Sequence, residues 1–554
     1  MAAEFEIALQ DAVPPLVLAL DVGSTASRGM IYDAHGRPAG RRAKVAHGFT
    51  VAPDGTSVID PDQVLEELSS IVDELTGTLE DVRPGEGIAG VALDTFASSL
   101  VVVDGDGRPL TPCFTYADGR CGRQVESLRE ELVEAEVQER TGARIHSSYW
   151  PARLRWLAED QPEVVAGAAH YLSLGDYVLR ALTGVLATGT SSAAWTGLVD
   201  RQTADWSAPD VAAAGIRLDQ LPPIRHLDQP LDIAPDRAAE LAERWPALRD
   251  ARWFATVADG FAANVGLGAG DETTIGASCA TSGALRVVIR QMPDTLPPGL
   301  WCYRVSHDRA LLGGALNDVG RALSWADATL RVEEGEDREA SADAMGVAAE
   351  PAASEASRPA TSDAAEPAAR EASGPTASEA AEPATGDTDD LSRALMAAPQ
   401  DTTPLMLPFF TGERSTGWAA DARAVFTGVG ASSTPVELYR GVVEGIALSY
   451  ARVVAVLREV APEPDKLYCG GRVTADRPEL LQVMADAMGT PVTPITIKRS
   501  TLHGTALLAL ETLAPGVERA DADHGPTLEP APARQGYYAD RSARFERLYD
   551  ALFG

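Results

Sequence analysis

The chain has 554 residues, of which 45% are hydrophobic and 23% charged, a globular composition long enough for two domains rather than one core. Its 47 basic against 81 acidic residues leave a net charge of −34, with no basic stripe for phosphate contacts, which argues against a nucleic-acid partner. Five cysteines at unrelated spacings make neither a disulfide framework nor a zinc knuckle and read as thiols in a reducing compartment.

The acidic start, MAAEFEIALQDAVPP, lacks the basic region of a signal peptide, and no later apolar run reaches the roughly 18 residues of a membrane span. A cytoplasmic protein without a membrane partner is expected. Leu16–Leu20 is an apolar strand that stops at Asp21, enters a Gly/Ser/Thr loop and resumes at Gly29–Tyr32, which predicts a β-hairpin. Helical spacing follows over Val64–Leu79, then strands over Ile88–Leu93, ending at Asp94, and over Leu100–Val103. Further helical patterns cover 123–139, 151–159, 174–183 and 435–460, so the chain is α/β.

Residues 332–390 differ in kind. They are Ala, Glu, Pro, Ser and Thr with 16 acidic residues and three arginines, and the unit AAEPA recurs every 16 residues from Ala348. Such a segment cannot bury enough surface to fold and is read as a disordered insertion. Apolar pattern returns at Pro404–Phe410, so the fold continues past it.

Four segments carry chemistry. In Asp21-Val22-Gly23-Ser24-Thr25-Ala26-Ser27-Arg28 a strand-end carboxylate can hold Mg²⁺, Gly23 lets backbone approach a phosphate, and Ser24, Thr25 and Arg28 offer donors; a plain hairpin turn is the alternative. Asp259 precedes a small-residue helix start. Ile275–Gly283 is a second strand and hydroxyl-rich turn, and Cys469-Gly470-Gly471-Arg472 is a glycine turn before the apolar-patterned Pro478–Met488. A hydroxyl-rich hairpin with an Asp thus opens each half, near 21 and near 275, as if two related domains faced one nucleotide.

In this order the motifs resemble the FGGY carbohydrate kinases. The resemblance spans about 15–330 and 400–550 and includes Asp176-Tyr177 with Leu182-Thr183-Gly184, Leu407-Pro408-Phe409-Phe410-Thr411-Gly412-Glu413-Arg414, and Gly441–Ala447. It implies two ribonuclease H-like, actin-type domains with a cleft between them, a sugar-binding half at 15–258 and a nucleotide-binding half at 259–550. It also implies ATP and Mg²⁺ as cofactors. Asp21 would organise the metal, and Ser24, Thr25 and Arg28 would meet the transferred phosphate. Asp259 would be the general base, with Thr281, Gly320, Gly470 and Gly471 at the nucleotide; Ala280 stands where the family's motif begins with Gly.

Within the family the gluconate kinase branch is the nearest resemblance. It rests on Thr95–Leu100, Tyr116–Arg120, His146–Arg153, Leu300–Val305 and Leu312–Leu316. It implies Thr95, Ser98, Asp118, Arg120, His146, Tyr149 and Asp259 at the sugar, with Arg120 or Arg153 for a carboxylate. Ala97, Ser98, Tyr116 and Gly119 depart from that branch's pattern in the region expected to face the sugar. Structural roles stay open for several of these: an N-cap for Asp118, a packed histidine for His146, a helix-face cation for Arg153, and core packing for Trp150 and Trp301. The implied substrate is a sugar or aldonate, first D-gluconate giving 6-phospho-D-gluconate. Xylulose, another pentulose or a polyol is the alternative, then a binding protein without turnover; a homodimer is kept open.

Overall fold

The computed structural model describes residues 5–330 and 387–553, apart from 462, 463 and 498. Nearly all of the expected insertion lies outside the described residues; its last residues, from 387, already open the helix Asp387–Met396.

The described chain builds two six-stranded sheets of like design. In the first, Leu16–Val22 pairs antiparallel with Ala26–Tyr32, as the turn residues predict, and parallel with Ile88–Thr95. Pro38–Ala46 extends one edge, and the short strands Arg252–Trp253 and Val257–Ala258 pair with Ile88–Thr95 on the other. In the second, Thr274–Cys279 forms the hairpin with Gly283–Ile289 and lies parallel to Lys466–Gly470. A hairpin beside a parallel strand from far along the chain therefore recurs in both halves, the two-domain actin-type arrangement. The second hairpin, unlike the first with its Asp21, carries no carboxylate.

Each central strand is buried on both faces, so it reads as a continuous apolar run. Leu16, Leu18 and Leu20 pack with Val64, Leu68 and Ile71 of the helix Pro61–Val82. The alternate residues Val17 and Ala19 pack with Leu502, Ala506 and Leu510 of the helix Ser500–Leu513, which covers the opposite face. Asp60 caps the first of these helices. In the second half the 26-residue helix Pro435–Val460 opens on a Thr434–Glu437 capping box and lies in the core beneath the sheet.

The helices Asp259–Gly266 and Ser500–Leu513 touch backbone to backbone. A Cβ at Gly266 would stand 1.8 Å from the Ser500 carbonyl oxygen, and one at Gly504 would stand 1.8 Å from that of Ala262. Two glycines thus seat the helix that begins at Asp259.

One expected element differs. The pattern over 123–139 is two helices, Gly122–Glu131 and Glu134–Thr141, because Leu132 and Val133 are extended. A continuous helix would turn Val137 away from Val125, Leu128 and Leu132, whereas the break lets all four pack in one cluster. All five cysteines are buried and free. No helix among the described residues is long and apolar enough to cross a membrane.

Candidate active site

Asp21 ends its strand and is buried, while Ser24 and Thr25 are exposed on the turn beyond it. Arg28 returns along the second strand. Its Nη1 donates to Asp21 Oδ2 at 2.7 Å and its Nη2 to Thr25 Oγ1 at 3.3 Å. A Cβ at Gly23 would lie 2.8 Å from that Nη1 and would press on the Arg28 end of the ion pair. Behind the turn, the His47 ring bridges the Gly23 carbonyl and Glu67 Oε2, each at 2.8 Å, and Ser27 Oγ donates to the same carboxylate oxygen.

Two further carboxylates converge here. Asp94 faces Asp21 across the parallel ladder; burial, then the charge of Asp21, holds its pKa well above the ordinary carboxylate range. Asp259, the first residue of its helix, accepts at Oδ1 from the N–H groups of Gly260 (2.7 Å) and Ala97 (3.3 Å). Burial raises its pKa to about 6; the Arg286 guanidinium works against that rise and the Asp21 charge with it.

Asp259 lines a cavity of about 310 Å³ between the two halves. One wall is aromatic: Trp195 lies 4.1 Å and Trp301 4.7 Å from the Tyr303 ring, centroid to centroid. Tyr149 also lines it and hydrogen-bonds hydroxyl to hydroxyl with Tyr303. His146 lines it too. The Ser148 N–H donates to His146 Nδ1 at 3.1 Å, which puts a neutral ring's proton on Nε2. Burial and then Arg414 depress its pKa to about 4. Ser98 lines the cavity at φ +59° with its hydroxyl tied to the Trp195 carbonyl. Trp301 is thus a cavity residue, whereas Trp150 is core, donating its indole N–H to the Ser99 carbonyl.

The second sheet gathers the glycine segments. Gly320 N donates to the Ala280 carbonyl at 2.8 Å, and a Cβ at Gly471 would stand 2.2 Å from the Cys279 carbonyl oxygen. Thr281, Gly320, Gly470 and Gly471 therefore meet, with Ala280, Thr281 and Gly471 exposed. Asp318 accepts from Thr411 N at 2.8 Å, which ties this cluster to the loop carrying Arg414.

Other expected residues stand apart from the cavity wall. Thr95 is buried against Gly175. Asp118 and Arg120 pair with each other at 2.7 Å, and Arg120 stacks 4.3 Å over Trp156. Arg153 is buried, donating to the carbonyls of Ser98 (2.6 Å) and Ser147 (3.0 Å). Arg120 is thus held by Asp118, and Arg153, whose Nη2 is buried without a hydrogen-bond partner among the described residues, does not line the cavity either. The cations that line the cavity are Arg286 and Arg414, which sequence reasoning passed over; Arg414 lay in view within the quoted Gly-Glu-Arg motif.

Residues 16–243 match the FGGY family of carbohydrate kinases, N-terminal domain, and residues 278–512 match its C-terminal domain. A gluconokinase of Bacillus subtilis (strain 168) is 24% identical over 451 residues, 81% of this chain and 78% of its own. A xylulose kinase of Lactococcus lactis is 22% identical over 503 residues, 89% of this chain and 87% of its own. The crystal structure of a gluconate kinase from Lactobacillus acidophilus superposes with a TM-score of 0.80 at 21% identity, covering 97% of this chain and 98% of that one.

Proposed function

Because this chain belongs to the FGGY family of carbohydrate kinases, we propose that it transfers the γ-phosphoryl group of ATP to a hydroxyl of a sugar or sugar acid, first among them D-gluconate, giving 6-phospho-D-gluconate. Asp259 carries the proposal: it is a buried carboxylate on the wall of the cavity, with a pKa of about 6, within electrostatic reach of Asp21. Two N–H groups fix its Oδ1, which leaves Oδ2 to accept the proton of an acceptor hydroxyl as that oxygen attacks. With a pKa near 6 it is charged at neutral pH and still basic enough for that task.

The residues around Asp21 fit Mg²⁺ and a nucleotide. Mg²⁺ typically takes one or two carboxylates together with phosphate oxygens, and Asp21 offers one beside an exposed turn. Mg-ATP, when bound, supplies the phosphoryl group and much of the charge that neutralises it. Ser24, Thr25 and Arg28 give that group donors, while Thr281, Gly320 and Gly471 leave backbone open to the nucleotide, with Gly470 buried behind them. Closure of the two halves on the cavity keeps water from the phosphoryl group.

Likeness to the Bacillus gluconokinase supports D-gluconate. D-xylulose or another pentulose is the second acceptor, supported by likeness to the Lactococcus xylulose kinase and by small Ala97 and Ser98 in the cavity wall. An ADP-release assay with Mg-ATP and D-gluconate, other aldonates, D-xylulose, L-ribulose, glycerol or no sugar tests both. The strongest stimulation is expected from D-gluconate. A stronger response to another sugar replaces the acceptor and keeps the chemistry. No response to any acceptor, with ATP bound, overturns the kinase reading.

A further inference from the structure

The loop 413–419 brings Arg414 and Trp418 to the cavity wall. It closes on itself: Glu413 N donates to the Ala419 carbonyl at 2.9 Å and Trp418 N to the Arg414 carbonyl at 2.6 Å. Its inner side is built on one carboxylate. Glu413 is buried, and its Oε1 accepts from the N–H groups of Thr416 (3.0 Å) and Gly417 (3.2 Å) and from Arg452 Nη1 (3.0 Å). Its Oε2 accepts from the Tyr549 hydroxyl at 2.6 Å and from the Ala419 N–H at 3.4 Å. A buried carboxylate keeps its charge and its place only where donors surround it, so the loop takes its shape from where those donors stand.

Two of those donors come from outside the loop. Arg452 belongs to the helix Pro435–Val460, and Tyr549 to the helix Gln535–Phe553, which lies beyond the residues 278–512 that match the family's C-terminal domain. The Tyr549 ring is wedged in place, 5.4 Å from the Phe553 ring and 6.0 Å from that of Phe409, with the Arg452 guanidinium 3.9 Å above it. Its hydroxyl also bounds the loop backbone: a Cβ at Gly417 would stand 1.6 Å from that oxygen. Trp418, the next residue, sits at φ +59° and donates its indole N–H to the Gly299 carbonyl at 3.3 Å. A side chain holds such a conformation only when its surroundings fix it. Thr411, before the loop, is held instead by Asp318 on the nucleotide side.

We infer that Tyr549 is a positioning residue of the acceptor site: from the C-terminal helix, through the Glu413 carboxylate, it sets the loop that presents Arg414 and Trp418 to the cavity. Tyr549 itself is not in the cavity wall. Without its hydroxyl, Glu413 Oε2 keeps only the long bond from Ala419, and the backbone at Gly417 loses the atom it rests on. A shift of about 1 Å in a loop that lines a binding cavity is enough to change how a small substrate fits. The inference rests on taking this cavity as the acceptor site.

Tyr549→Phe tests it, because the variant keeps the ring and its packing and removes only the donor. In the whole chain, hydrogen exchange should quicken about 10-fold or more in peptides covering 413–419, the scale of one hydrogen bond to a charged group, while the helix Gln535–Phe553 keeps its protection. With Mg-ATP and D-gluconate, or whichever acceptor of the panel releases most ADP, KM for the acceptor should rise about 10-fold and KM for Mg-ATP should hold. A merely structural tyrosine would loosen its own helix or disturb both substrates together. Unchanged exchange in the loop overturns the inference. So does faster exchange that spreads through the helix, an unaltered acceptor KM, or a KM for Mg-ATP that rises in step. Absence of ADP release from the unaltered protein with every acceptor overturns the kinase reading instead, and the exchange comparison then decides Tyr549 by itself.

Discussion

Asp94 stands beside Asp21 in the parallel ladder that joins Ile88–Thr95 to Leu16–Val22. Thr505, from the helix covering that face of the sheet, donates to Asp94 Oδ2 at 2.7 Å, while Oδ1 is buried without a partner among the described residues. Two carboxylates this close and this poorly solvated resist carrying two charges. Burial is the larger cause, and the proton rests on Asp94, whose pKa is well above its ordinary 3.8.

The first prediction follows from that shift. A carboxyl whose pKa is raised in the folded state gives its full stability below the unfolded value, here near 3.8, and loses it as pH rises through the folded value. Asp94→Asn removes the titration and keeps the shape. Its melting temperature relative to the unaltered protein should therefore climb as pH is raised from 4 to 9. A difference that stays constant across that range would mean Asp94 does not titrate differently on folding.

Asp259 sets the second. Its pKa near 6 means the base is lost as pH falls below that value, so kcat/KM should rise through about pH 6 and then level off. Asp259→Asn should cost about 10²- to 10⁴-fold in kcat, the range for general-base catalysis, with nucleotide binding kept. A pH–rate profile for the unaltered protein that is flat between 5 and 8 would remove Asp259 from the role.

How much of this was readable in the sequence depends on how local each feature is. The Asp21 hairpin is local: an apolar run, a Gly/Ser/Thr turn and a second run lie within 17 residues, Leu16 to Tyr32, and the structure has the hairpin there. The strand ending at Asp94 was equally plain, but its neighbour is set by register between distant strands, so the carboxylate pair was not. Arg120 and Arg153 looked available because their partners, a carboxylate two residues away and two loop carbonyls, depend on how loops fold back. Arg286 and Arg414 carry the opposite lesson: lining a cavity between the two halves is a tertiary property, and no local pattern announces it.

The third prediction concerns Arg153. Its guanidinium holds the carbonyls of Ser98 and Ser147, and Ser98 sits in a left-handed conformation that a side chain tolerates only when held. Arg153→Leu should cost about 2–4 kcal/mol of stability, because two buried acceptors lose a charged donor. Urea unfolding measures it. A loss under 0.5 kcal/mol would say that water replaces the arginine and that the Ser98 loop holds itself.

The fourth concerns His47, whose backbone N–H donates to the Thr25 carbonyl at 3.1 Å and whose ring bridges the Gly23 carbonyl to Glu67. Gly23 precedes the turn of Ser24 and Thr25, and a small displacement of such a turn misaligns whatever phosphate it meets. His47→Ala should therefore lower kcat/KM for Mg-ATP by about 10- to 100-fold. Acceptor affinity, measured without nucleotide, should stay unchanged, because the cavity wall contains neither His47 nor Glu67. Glu67→Gln keeps an oxygen acceptor for the ring and should fall between the two. If acceptor affinity fell in step with the Mg-ATP parameter, His47 would be holding up the whole first sheet rather than aligning one turn.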